Sequence, residues 1–283
     1  MLSSSSGGIF SSIFHRDPDW DTLRITWGIN VAKDNVFTKM PLKMKKAEDK
    51  GFVKLQPGAS CSGKFLGTRY YKPENPSVIM LYDHNGFFAG IQTLFPKPTT
   101  NGSAPNVYQK SSYFIEDQIN GTTYYTLTAY LVAPDIICTT GRSQSDYDQQ
   151  KAGSALYLQN GLNPLRDTVK VPHYENETLA AQWIKGKCYV SMGSHYWYNT
   201  SKEMSCDDLQ PVFLTFNHGK LTGFGWAIQA NVETSKNFEH PDKDNLDRFF
   251  DPVPKCLKDS FHRLGGITML HIYLNAKPWN LVC

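Results

Sequence analysis

The sequence predicts a mostly β protein made of two pseudo-symmetric antiparallel units, and three observations carry that expectation. Tyr and Phe number 15 and 16 in 283 residues, and such side chains favour the half-buried surface of a pleated sheet. Three sequence pieces recur in the same order in the two halves. Cysteines stand at matching places around each copy. Together these point to an internal duplication, with the two units packed face to face or forming one joint barrel-like body.

The first recurring piece is Leu66-Gly-Thr-Arg-Tyr-Tyr against Met192-Gly-Ser-His-Tyr-Trp. The second runs from Val78 to Ile91 and from Pro211 to Phe224, matching Gly86 with Gly219 and Gly90 with Gly223 without a gap. The third is Thr128-Ala-Tyr-Leu against His271-Ile-Tyr-Leu. Cys61 and Cys138 bracket the first copy, and Cys188 and Cys283 take the same places in the second. Cys206 and Cys256 fall in segments that the first copy lacks. The repeat therefore selects Cys61–Cys138, Cys188–Cys283 and Cys206–Cys256 from the fifteen pairings that six cysteines allow. Each bridge would close a long loop, worth about 3–5 kcal/mol on the loop-entropy account.

In chain order, residues 1–12 are polar, small and expected to be disordered. The first half spans 13–138, with its repeat unit at 52–138. Leu23–Ile29 reads as a strand added to that half. Pro41–Lys50 carries Pro near its start and Gly51 as a stop, so a short helix is expected. Val78–Tyr82 and the run after Phe87 flank Asn85-Gly86, the dipeptide that a tight type I′ hairpin turn prefers. In the second half His218-Gly219 takes that place. Residues 139–180 are rich in Gly, Ser, Asn and Gln and read as a linker with one short strand near Leu156–Leu158. The second half spans 181–283, with a helical turn expected at Asn245–Phe250.

Composition narrows the function. A formal net charge of +3 is too mild for nucleic acid, and Lys39–Lys54, interleaved with Glu48 and Asp49, reads as a solvated face. No apolar stretch approaches the length of a membrane span. The first residues lack the basic and apolar regions of a signal peptide. Against that, six cysteines without a CxxC pair and four sequons, at Asn101, Asn120, Asn176 and Asn199, fit an oxidising compartment. An extracellular glycoprotein is the expectation, with the signal peptide outside this numbering.

Motifs exclude more than they assign. Gly58–Lys64 spells most of a phosphate-binding loop, but Phe65 replaces the Ser or Thr that such loops need. No dinucleotide, hydrolase-elbow or zincin signature occurs, so no nucleotide cofactor is expected and the cofactor is left open. Asp242, Asp244 and Asp247 cluster near His240 but lack the central Gly and closing Glu of a calcium loop. The copies differ at two informative places. Arg69 becomes His195 and Thr128 becomes His271. Two histidines on neighbouring strands, facing one cavity, suit proton transfer or metal binding near neutral pH. A third metal ligand would come from His173, His240 or an acidic residue. The alternative is an inert, hydrogen-bonded core pair.

Aromatics concentrate in the second half. Tyr196, Trp197, Trp226 and Tyr273 are the candidates for lining a pocket for a small apolar or sugar-like ligand. Three functions follow. The first is a secreted binding protein for such a small molecule. The second is a secreted oxidoreductase or oxygenase, of luciferase type for instance, using His195 and His271. The third is a surface-interaction glycoprotein without a site.

Overall fold

A computed structural model of the chain describes residues 20–55, 61, 63–97 and 107–282. Residues 1–12, Asn101, Cys283 and much of the Gly58–Lys64 run lie outside the described residues.

In chain order the strands are β1 (Arg24–Ile25), β2 (Thr38–Lys39), β3 (Val53–Lys54), β4 (Thr68–Lys72) and β5 (Asn75–Tyr82). They continue with β6 (Phe88–Pro96), β7 (Ile115–Ile119), β8 (Thr122–Tyr130), β9 (Tyr157–Gln159) and β10 (Thr168–Lys170). The last five are β11 (Trp183–Tyr189), β12 (Gly193–Tyr198), β13 (Val212–Asn217), β14 (Lys220–Ile228) and β15 (Thr268–Tyr273). They form two antiparallel sheets. One has eight strands in the order β10-β9-β8-β6-β5-β4-β3, with β7 also on β8. The other has seven in the order β11-β12-β13-β14-β15-β1-β2. Both sheets end in open edges, so the barrel expectation is not met.

The sheets stack. Tyr70, Val78, Met80, Tyr82 and Ile91 of one share a single apolar core with Tyr196, Leu214, Phe216, Phe224 and Trp226 of the other. Alternate side chains point outward and are covered as well. Ile79, Leu81 and Tyr130 form an outer cluster on the first sheet. Trp197, Phe213 and Met269 form one on the second, beneath Leu246, Phe249, Phe250 and Leu257 of the long β14–β15 connection. Burial on both faces explains why Val212–Leu214 is continuous apolar sequence instead of an alternating one, and why Thr215, the polar residue that follows, is buried as well.

Four strands of each sheet pair antiparallel in the same order, β4-β5-β6-β8 in one and β12-β13-β14-β15 in the other. Arg69 faces Leu81 and His195 faces Thr215. Leu81 faces Gly90 and Thr215 faces Gly223, each followed by a register shift. Gly90 faces Tyr130 and Gly223 faces Tyr273. Gln92 faces Thr128 and Gly225 faces His271. The gapless alignment of the second piece is corrected by one residue. Leu81 corresponds to Thr215, because the first turn is one residue longer than the second.

That extra residue changes the turn. His218 and Gly219 sit at φ 49° and 76°, the two positive values that a type I′ turn needs. In the first hairpin only Gly86 is positive, at φ 80°. There the Asp83 carboxylate accepts from the backbone N–H groups of Asn85 (3.0 Å), Phe87 (2.9 Å) and Arg142 (2.9 Å), so the expected I′ geometry gives way to a carboxylate-held loop.

The N-terminal strand is also corrected. β1 pairs with β15, so it extends the second sheet, not the first. In the stretch read as a linker, the short strand expected near Leu156–Leu158 is β9; β10 is a second strand there, the two extend the first sheet past β8, and Ser143 caps a helix at Gln144–Gln150. The expected short helices are found at Met44–Glu48 and, as a 3-10 turn, at Lys243–Arg248. Cys61–Cys138 and Cys206–Cys256 are disulfides, as expected. Cys188 is disulfide-bonded too, and its expected partner Cys283 lies outside the described residues.

Candidate functional site

The site starts from strand alternation. His195 and Trp197 share one face of β12, so Tyr196 points the other way, into the core between the sheets. His271 and Tyr273 share the outward face of β15. Two strands separate the histidines, and their outward positions opposite Thr215 and His271 are Gly223 and Gly225. A Cβ at Gly225 would lie 2.2 Å from the Phe213 ring and 2.5 Å from the Leu270 carbonyl. This bare stretch of β14 lets the two imidazoles lean across and meet, Nε2 to Nε2, at 3.3 Å. Arg69, Gln92 and Thr128 occupy the corresponding places in the first sheet. There Arg69 Nε donates to Gln92 (2.8 Å) and Gln92 Nε2 donates to Thr128 (2.9 Å).

The pair continues at both ends. His195 Nδ1 lies 3.2 Å from the Lys187 carbonyl, and His271 Nδ1 lies 2.5 Å from Glu239 Oε2. Glu239 Oε1 accepts from the backbone N–H groups of Trp27 (2.7 Å) and His271 (3.1 Å). The result is a chain from a carbonyl through two imidazoles to a carboxylate. Three protons on its four ring nitrogens give every contact a donor and an acceptor. With only two, one contact sets lone pair against lone pair or leaves the carboxylate without its ring donor. Burial, and then the charge of His271, push the His195 imidazole down to about 3. Burial thus holds His195 neutral.

His195 and His271 are 0% and 1% exposed, and neither lines the cleft on which Glu239 opens. Its side chain is 12% exposed, at a cleft of about 320 Å³ lined by Trp27, Tyr189, Phe249, Met192, Met269 and the 239–248 segment. Trp27 and Tyr189 meet edge to face at 5.5 Å, and Phe249 lies 6.1 Å from Tyr189. Arg248 lies over the Tyr189 ring, its guanidinium carbon 6.0 Å from the centroid.

None of the four aromatic candidates lines this cleft. Tyr196 and Trp226 are in the core between the sheets, Trp197 stacks on Phe250 at 3.8 Å, and Tyr273 packs with Phe37 and on the His271 ring. His173 stacks beside Trp20 and is not part of the chain. His240 stands at the cleft, with Nε2 3.1 Å from the Val232 carbonyl. Asp242, Asp244 and Asp247 are exposed. Among the described residues no three metal-ligating groups converge, because the Glu239, His271 and His195 donors are turned on one another. Asn120, Asn176 and Asn199 are exposed.

The residues that sequence reading missed are Glu239, Trp27, Tyr189 and Phe249. The first lies in the β14–β15 connection, whose sequence has no counterpart in the first half, and the second two residues past β1, in the Leu23–Ile29 segment read as part of the first half. Their one signal was position: Glu239 adjoins His240, a residue already considered as a third ligand.

No family model, curated protein or solved structure matches this chain.

Proposed function

We propose that the protein is a secreted, disulfide-linked glycoprotein that binds a small, largely apolar molecule in the Trp27–Tyr189–Phe249 cleft. The observation that carries this reading is the cleft itself, which combines aromatic walls with a single part-exposed carboxylate held at its floor. Few placed polar groups in an apolar concavity are the usual make-up of a small-molecule site. The disulfides and the exposed sequon asparagines support an oxidising compartment. No helix among the described residues is long and apolar enough to cross a membrane.

The test is fluorescence titration with N-phenyl-1-naphthylamine, an uncharged apolar dye. Saturable binding is expected, weakened by about tenfold or more in Tyr189→Ala, which removes one wall. Absence of binding in the wild type removes the reading and favours a surface-interaction glycoprotein. An oxygenase working through His195 and His271 has less support. Both rings are spent on each other, on the Lys187 carbonyl and on Glu239, and neither lines the cleft. If His195→Gln abolished a turnover measured on the wild type while leaving dye affinity unchanged, that ranking would reverse.

The two sheets also support an internal duplication. Four strands of each pair in the same order with the same partners, and a register shift falls at the same step, Leu81/Tyr82 and Thr215/Phe216. A superposition that fails to overlay β4, β5, β6 and β8 on β12, β13, β14 and β15 would remove it.

A further inference from the structure

The cleft has a charge preference as well as a shape. Its only carboxylate at the floor is Glu239, with Asp242 at the rim. Glu239 is held rigidly by three N–H donors, two on Oε1 and one on Oε2. A carboxylate offers about four acceptor positions, so one on Oε2 stays uncommitted. The walls around it are aromatic faces and edges, and aromatic faces attract cations. The molecule already places one cation there. Arg248 lies over the Tyr189 ring, with Nη1 3.4 Å from the Tyr189 hydroxyl. Apart from Arg248, the described residues that line the cleft include no lysine or arginine to welcome an anion.

We propose that the ligand is a small organic cation, an ammonium group on an aromatic or alkyl body, with the ammonium donating to Glu239 and the body against Trp27 and Tyr189. This rests on the cleft being a binding site, and it names the chemistry that the site selects. Arg248 is then an internal competitor for the Tyr189 face, displaced as the ligand enters. Other charged or titratable groups facing Glu239 are His271 behind it, His240 and Asp242 beside it on the same segment, and Tyr273 across the His271 ring.

Isothermal titration of the intact protein with three probes of one shape decides it: 2-phenylethylamine, 2-phenylethanol and phenylacetate. The amine is expected to bind about tenfold or more tightly than the alcohol, and phenylacetate to bind more weakly than either. Glu239→Gln, whose amide oxygen still accepts from the Trp27 and His271 N–H groups, should erase the preference for the amine over the alcohol. Arg248→Ala should tighten the amine. The inference is overturned if the alcohol or phenylacetate equals the amine, if none of the three probes binds, or if Glu239→Gln keeps the preference. In those cases dye binding that is still lost in Tyr189→Ala leaves the cleft reading standing. Loss of dye binding in the wild type sinks both.

Discussion

Thr26 sits at φ 71°, a left-handed conformation that β-branched residues avoid at a cost of about 1–3 kcal/mol. It is held there by its own bonds: its N–H donates to the His271 carbonyl at 2.9 Å and its hydroxyl to the Asn237 carbonyl at 2.9 Å. The turn it imposes aims the Trp27 N–H at Glu239. Strain at one residue thus fixes the carboxylate at the cleft floor. The buried chain behind it makes a prediction about pH. His195 titrates near 6.5 when unfolded, and burial pushes it down to about 3 in the fold. Between those values the unfolded chain takes up a proton that the native protein refuses. This contribution to stability is therefore full above about 6.5 and is lost as pH falls toward 3, by at most about 1.4 kcal/mol per pH unit. Urea unfolding of wild type and His195→Gln across that range checks it, and equal slopes for the two proteins would refute a buried neutral His195. Both histidines were legible in the sequence, because each stands where the first half has a different polar residue, Arg69 or Thr128. Glu239 was not, because nothing in a linear sequence brings a residue of a long connection back onto β15. The buried Asp83–Arg142 contact was missed for the same reason, its partners being 59 residues apart.

At the scale of the element, β14 decides whether the histidines meet. Gly223-Phe-Gly-Trp alternates a bare outward face with Phe224 and Trp226 in the core between the sheets. In the first sheet Gln92 stands where Gly225 does and bridges Arg69 to Thr128 by its side chain. Gly225→Ala would press a methyl on the Leu270 carbonyl and the Phe213 ring. Overpacking of that kind costs about 1–3 kcal/mol. Gly219→Ala meets no atom within 4 Å and faces only the left-handed turn, about 1–2 kcal/mol. Denaturation of the two variants should show Gly225→Ala to be the more damaging, and only it should shift the imidazole N–H resonances of the pair. A greater loss at Gly219 would mean that the bare face of β14 is not what the packing requires. The Gly-rich run was visible in the sequence as room for something. What fills the room depended on the strand register, which a one-residue difference in the turn sets.

For the whole molecule, the long β14–β15 connection carries Glu239, Arg248 and Phe249 together and is tied down by Cys206–Cys256 across 50 residues. A loop of that size gives a disulfide about 4 kcal/mol on the entropy account. Cys206→Ser/Cys256→Ser should lower stability by up to that amount and weaken dye binding in the cleft, since the wall and floor residues lose their tether. Retained dye affinity after that change would show that packing of Leu246, Phe249 and Phe250 on Trp197 and Phe213 holds the connection unaided.

The sequence by itself determined the β class, the recurring hairpins, two disulfide pairs and the two histidines that meet. Those follow from periodicity, turn residues and matched positions, which are local or repeated. Only the tertiary structure decided that β1 joins β15 in the second sheet, that Tyr196, Trp197, Trp226 and Tyr273 are packing, and that the cleft is walled by Trp27, Tyr189 and Phe249. An aromatic residue favours a sheet whether it faces a core or a cleft. Which one it faces is set by what covers that face, here a connection between two strands whose path has no period to read.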